Sequence, residues 1–323
     1  MVMNELLEPF DRMLEAAAPV ALVRAVEGGG SAASMWQEIA GSGFLDALVA
    51  EEHGGAGLSL ADMEPLLEAL GGRAVPLPVA ETMVARALLA DAGVAVPSGP
   101  IVLVTAMAQP VPNALVAEHG LVDTGRALVL CPVADLAPAP TGVFHSLAAR
   151  LSGQPQGPSL ARLAGGLRPV AAVLRSALIA GAAARLCDLT TAYASDRIQF
   201  GKAIGRQQSL QQMLAVMAED MIACRIAAQL GAAHGTGVSA LAAATAKITT
   251  SSAAPRIAAT AHAVHGAIGI SEEYDLQLLT RRLHEWRMAD GSETYWSEVL
   301  GQARLGDAQA SVDWVRQAVF VEQ

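Results

Sequence analysis

The sequence predicts a mainly α protein, with an N-terminal helical domain, a reduced middle β segment and a C-terminal four-helix bundle. Three observations carry that reading. The 323 residues are 53% hydrophobic but only 4% aromatic and 16% charged, so a core must be built mostly from Ala, Leu and Val. Ala and Leu are strong helix formers. Apolar residues recur at helical spacing towards both ends of the chain, whereas the middle holds short β-prone runs broken by Pro, Gly and Asn. The same composition excludes intrinsic disorder, which needs low hydrophobicity and dense charge.

Residues 1–94 make the first expected domain. Leu6, Leu7, Phe10, Met13 and Leu14 fall on one helical face, as do Met63, Leu66, Leu67 and Leu70. Gly54, Gly55 and Gly57 interrupt the chain between them, and Ser59 is placed to cap the next helix with Asp62 three residues on. The glycine cluster reads as a connector, because it lacks both the G-x-G-x-x-G spacing and the lysine of a phosphate loop. Residues 95–167 are the shortened middle domain, with β-prone runs over 101–105, 114–117 and 127–131 and a Gly/Pro/Ser linker over 152–167. Residues 168–323 are helical again. Long patterns cover 169–196, 209–233 and 239–265, a shorter one covers 272–286, and two more follow between 292 and 321, broken at Gly306. Gly235 and Gly237 separate the second pattern from the third, and the turn from Gly266 to Gly269 closes the third. Tight connections between long helices predict an antiparallel bundle.

A formal charge of −10 argues against nucleic acid as a partner, since that needs a basic face. The longest uncharged stretch, 92–117, holds Pro97, Pro100, Pro110 and Pro112 and cannot run as a membrane helix. No basic segment leads into an apolar one at the start, so no signal peptide is expected. Cys131, Cys187 and Cys224 cannot pair evenly and form no C-x-x-C, which suits reduced, buried thiols and a cytoplasmic location without membrane insertion. The histidines are scattered, with only His262 and His265 close together, so no metal site is expected. A G-x-S-x-G elbow is absent, which removes the usual serine hydrolase.

The stretch from Asp196 to Gln208, D-R-I-Q-F-G-K-A-I-G-R-Q-Q, lies at a corner between two helices. Arg197 and Lys202 put two cations there, beside Phe200 and Gly201. Guanidinium, an aromatic edge and a glycine suit a dinucleotide pyrophosphate and its flat ring. The same residues also suit a capped helix end whose cations complement its dipole. Residue chemistry by itself leaves both readings open.

This stretch resembles the R-x-Q-F-G-x-x-I signature of the acyl-CoA dehydrogenase family. The tract from Ala261 to Arg282 is similar to that family's glycine turn and the helix after it, and W-R-M-A-D-G-S-E-T-Y-W (Trp286 to Trp296) is similar to its catalytic loop. Trp36, E-E-H-G-G-A-G-L-S-L and the segment from Pro76 to Thr82 resemble its N-terminal helical domain. The resemblance implies FAD lying between bundle and β domain and across a subunit interface. It also implies desaturation of an acyl-CoA thioester, in which a carboxylate takes the α proton while hydride passes to the flavin.

Carried over residue by residue, the resemblance makes Arg197, Gln199, Phe200 and Gln208 contacts of the adenine-dinucleotide part of FAD. It makes Gly266 and Gly269 part of the cross-subunit turn. Ala263 stands where the family has glutamine, and Ala267 where it usually has a second glycine. Asp290-Gly291-Ser292 replaces the common Glu-Gly-Thr, which makes Asp290 the candidate base, Glu293 a weaker one and Ser292 a cofactor contact. An aspartate sets its carboxylate about 1.5 Å farther back, and a misplacement of about 1 Å can cost roughly a hundredfold in rate. Asp290 also reads as an N-cap of the following helix. Some relatives carry the base in the first bundle helix, but no Asp or Glu occurs from Gly165 to Cys187. Short chains of this kind resemble subunits of heteromeric acyl-CoA dehydrogenases acting on bulky, often steroid-derived CoA esters. The partners so implied are an acyl-CoA substrate, an electron acceptor, and either further copies of this chain or a second acyl-CoA dehydrogenase-like chain in a heterotetramer. The alternatives are a non-catalytic subunit completing a partner's FAD site and a cofactor-free helical scaffold.

Overall fold

The computed structural model describes residues 2–233 and 236–320. Gly235, expected in the turn between two bundle helices, and Val321, the expected chain-end boundary, lie outside them. The N-terminal region is helical: α1 (Val2–Ala17), α2 (Val20–Glu27), α3 (Ala33–Gly41), α4 (Leu60–Gly72) and α5 (Val79–Asp91). Ser59 caps α4 in a reciprocal box, its hydroxyl accepting from the Asp62 N–H at 3.1 Å while the Asp62 carboxylate accepts from the Ser59 N–H at 3.0 Å. The glycine cluster before it is a connector that folds back on itself. A side chain at Gly55 would stand 2.1 Å from the Val49 carbonyl oxygen.

A four-stranded sheet follows, with strand order β1 (Ile101–Val104), β2 (His119–Asp123), β3 (Ala127–Pro132) and β6 (Ser159–Ala161). β1 and β2 run parallel and the other neighbours antiparallel; β4 (Ala139–Pro140) and β5 (Ala149–Arg150) form a separate pair. Two expectations are corrected here. The run 114–117 is a turn, because Asn113 takes a left-handed backbone (φ 58) and its carbonyl accepts from the Val116 N–H; the second strand lies just beyond, at His119–Asp123. The expected linker 152–167 contributes β6, whose Ala161 pairs with Ala127. Its residues are poor strand formers that pair because β3 offers them an open edge.

The bundle is built from α6 (Arg168–Asp196), α7 (Gln208–Ala232) and α8 (Ala240–His265), with α9 (Leu276–Met288) and α10 (Glu293–Leu305) sharing the fourth position; α11 (Ser311–Ala318) ends the described chain. α9 starts four residues later than its sequence pattern suggests. Arg24 of α2 holds the preceding turn, bonding the Glu272 and Glu273 carbonyls and the Asp275 carboxylate (2.6 Å). α6 is long and apolar enough to cross a membrane, yet it is buried along most of its length between α4, α7, α8 and α9. The α4–α6 contact is backbone against backbone. A Cβ at Gly181 would stand 1.8 Å from the Glu68 carbonyl oxygen, and one at Gly71 would stand 2.1 Å from that of Leu178. That approach seats the N-terminal helices directly on the bundle and brings α5 within reach of the middle of α6.

Candidate functional site

The helix corner is a two-residue hairpin. β7 (Ile198–Gln199) pairs with β8 (Lys202–Ala203), and the turn between them holds Phe200 at φ 52 and Gly201 at φ 76. Two successive left-handed residues make the turn whose twist matches the flanking strands. Glycine does this freely, but a phenylalanine there costs on the order of 1–3 kcal/mol. Phe200 gains no packing in return, being 91% exposed. The Arg197, Gln199, Lys202 and Gln208 side chains are exposed and make no hydrogen bond or ion pair among the described residues. The root of the hairpin is firm: the Ile204 N–H donates to the Arg197 carbonyl at 2.8 Å, and Ile204 packs with Ala194 and Val264. The tip is therefore held out, loaded with unused donors.

The glycine turn is at the same end of the bundle. Val264 belongs to the hairpin's small core, and His265 stacks on Tyr193 with ring centroids 4.4 Å apart. Gly266 (φ 62) is exposed, whereas Gly269 is buried with no room for a side chain, a Cβ there meeting the His265 Cβ at 2.8 Å. Ile268 and Ile270 are exposed beside them. Arg197, Gln199, Phe200, Gln208, Gly266 and Gly269 thus share one end.

Asp290 and Ser292 are elsewhere. Asp290 pairs with Arg175, 22 residues before Arg197 along α6, which at 1.5 Å per residue is about 33 Å away. The backbone at Asp290 is left-handed (φ 57), and Gly291 follows at φ 104. Trp296 lies across this bend and donates its Nε1–H to the Asp290 carbonyl at 3.1 Å, leaving no space for a Cβ on Gly291. The carboxylate turns inward and is almost fully buried. Its Oδ1 accepts from the Thr105 hydroxyl at 2.9 Å and its Oδ2 from Arg175 Nε at 3.1 Å. Arg175 also meets Glu81 of α5, Nη2 to Oε1 at 2.5 Å, with both side chains about 2% exposed. Burial opposes the charge on Arg175, but Glu81 and Asp290 together hold it protonated, above the usual arginine range. All three regions meet here: α5, the end of β1, and α6 with the loop before α10.

Ser292, not Asp290, is the N-cap of α10, its hydroxyl accepting from the Tyr295 N–H. Glu293 is bound to Arg287, whose hydrogen bonds hold its carboxyl below the usual range. A carboxylate that takes a proton from substrate needs an oxygen open to it. Both Asp290 oxygens face donors instead, and three cavities of 320, 620 and 770 Å³ all lie away from it.

Residues 170–305 match the acyl-CoA dehydrogenase C-terminal domain. The chain is 32% identical over 246 residues to the acyl-CoA dehydrogenase IpdE2 of Mycolicibacterium smegmatis, covering 73% of this chain and 76% of that one. It belongs to the acyl-CoA dehydrogenase family. The fold is likewise that of solved members. The ChsE4-ChsE5 complex from Mycobacterium tuberculosis superposes with a TM-score of 0.81 at 21% identity, over 96% of this chain and 98% of that one. The Tcur3481-Tcur3483 steroid ACAD superposes with a TM-score of 0.79 at 24% identity, over 95% and 99%.

Within this acyl-CoA dehydrogenase fold, sequence reading missed Glu81, Thr105, Arg175 and Lys247, the last a buried cation of α8 whose Nζ donates to the Trp286 and Arg287 carbonyls just before the Asp290 loop. Two left a signal. Arg175 is the sole charge between Arg168 and Arg185, and Lys247 the sole charge between Ala240 and Arg256. A lone cation in so apolar a stretch must find partners when the stretch is buried. Glu81 and Thr105 left none, because their roles depend on which helix lies opposite.

Proposed function

We propose that this chain is a subunit of an FAD-dependent acyl-CoA dehydrogenase that introduces an α,β double bond into a bulky or steroid-derived acyl-CoA, with the working base on another chain. The observation that carries this reading is the closure of both Asp290 oxygens by Thr105 and Arg175. Taking the substrate proton at that carboxylate would first require breaking a buried ion pair.

The hairpin suits one end of FAD. Arg197 would meet the pyrophosphate, Gln199 and Gln208 would hydrogen-bond the dinucleotide, and Phe200 would lie against its flat adenine. Their exposure and lack of partners among the described residues support this fit. When bound, FAD supplies the hydride acceptor, and a separate protein takes the electrons onward. Gly266, exposed on the turn, would let a neighbouring subunit approach closely, while Gly269 packs inward and keeps the turn tight. The distance of about 33 Å between the hairpin and the Asp290 loop favours a hairpin that serves a FAD site completed by a second chain, either another copy or a homologous partner in a heterotetramer. The likeness to the ChsE4-ChsE5 complex supports the two-chain form, and the likeness to the steroid ACAD supports the bulky acyl group. The expected place of action is the cytoplasm.

Anaerobic bleaching of the flavin by acyl-CoA in the purified assembly tests this. Asp290→Asn should leave the bleaching rate within about threefold, whereas loss of a working general base costs about 10²–10⁴-fold. A hundredfold slowing with flavin still bound would make Asp290 the base and overturn the reading.

A further inference from the structure

Lys247 is unused by the reading above, yet it is fully buried in the N-terminal third of α8. Its Nζ donates to the Trp286 carbonyl at 2.7 Å, the Arg287 carbonyl at 2.9 Å and the Ser251 hydroxyl at 3.0 Å. Those carbonyls belong to the last turn of α9, where backbone acceptors have no partner within the helix. The Glu285 carbonyl is met by the Ala289 N–H. The next two could be met only by N–H groups farther on, but the chain leaves the helix axis there, through Ala289 (ψ 145) and the left-handed Asp290 and Gly291. Lys247 supplies from a different helix the cap that α9 cannot draw from its own sequence. Ser251 Oγ, 3.3 Å from the Arg287 carbonyl, shares the task.

We propose that Lys247 is a positioning residue that clamps the C-terminus of α9 and so fixes the Ala289–Ser292 loop, and with it the contact of Asp290 with Arg175. The clamp fixes one side of the loop. Trp296 on the Asp290 carbonyl and Ser292 at the start of α10 fix the other. Nζ reaches three acceptors from a single atom, and the two carbonyl bonds need only the two N–H donors that even the neutral amine keeps. The charged groups around Lys247 are Arg175 of α6, Arg287 of α9, Asp290 of the loop and Glu293 of α10. Burial outweighs the two carboxylates and, with the two arginines, brings the lysine down to about 7. This inference is independent of which subunit carries the base.

Lys247→Met keeps length and burial but removes the donors, leaving two carbonyls to fray towards water. Hydrogen–deuterium exchange on the full assembly, read on peptides covering 286–296, should accelerate roughly five- to 150-fold, matching the cost of one unmet buried acceptor. Peptides from α6 and α8 should be unchanged. The fluorine resonance of 5-fluorotryptophan at Trp296 should shift, since its partner carbonyl moves. An unaltered loop, or acceleration spread evenly over the bundle, would overturn the proposal and make Lys247 an ordinary core residue. If Lys247→Met does not fold, Ser251→Ala decides. A rise of a few fold confined to 286–296 supports the clamp, and no change there refutes it.

Discussion

Replacing Arg175 by Met removes the one cation that Glu81 and Asp290 share. Glu81 is 1% and Asp290 7% exposed, so neither carboxylate can turn to water without moving an element. Breaking a buried pair from one side costs about 3–5 kcal/mol, because the charge left behind is uncompensated. With an unfolding entropy of about 2.1 cal/mol/K per residue over the whole chain, that cost lowers Tm by roughly 4–7 °C. Circular dichroism melts at pH 8 and fixed assembly concentration measure it. The triple variant Glu81→Gln, Arg175→Met, Asp290→Asn should recover most of the loss at pH 8, since it buries no charge. A single variant that melts within about 1 °C of the parent at pH 8 would refute the triad as the junction of the three regions.

Other outcomes follow from the same geometry. Arg197→Ala should weaken flavin binding by about ten- to a hundredfold, the worth of a charge-assisted contact of roughly 1.5–3 kcal/mol, while the far-ultraviolet spectrum is retained; unchanged flavin content would remove Arg197 from the site. Glu64 of α4 is 2% exposed beside Glu68, and burial with that like charge raises its carboxyl to about 8, although Arg225 pulls the other way. A raised folded pKa means stability that is complete below the unfolded value near 4.5 and is lost as pH rises through about 8. Glu64→Gln should therefore melt higher than the parent at pH 9 and similarly at pH 5, and parallel curves would contradict this. The exposed Ile198, Phe200, Ile268 and Ile270 at one end of the bundle should be covered in solution. Light scattering at micromolar concentration should then report a dimer or larger, and a flavin-loaded monomer would count against a shared site.

The helices were legible because their signals are local. The Ser59–Asp62 box and the periodic apolar faces act within a turn or two of chain. Where the sequence reading went astray, a contact from far along the chain intervened. Arg24 delays the start of α9, and the open edge of β3 recruits Ser159–Ala161 from a stretch that reads as linker. The hairpin residues were visible as a motif, but their lack of partners among the described residues was not. A count of donors says nothing of what already satisfies them.

By itself, then, the sequence determined that this is a helical, alanine-rich chain with a short β insert and two cations at a corner between two long helices. Those properties follow from composition, periodicity and motif, which need only near neighbours. Asp290 stood out only through the family resemblance, and only the tertiary structure decided which groups its carboxylate meets. The close seating of α4 on α6 at Gly71 and Gly181 brings Glu81 and Arg175 together, and the bend at Gly291 turns Asp290 onto the same guanidinium. A charge surrounded by apolar packing takes whichever opposite charge the fold delivers, because leaving it bare costs more than any single contact returns. Which partner arrives depends on residues 94 and 115 positions apart, and no local pattern encodes that.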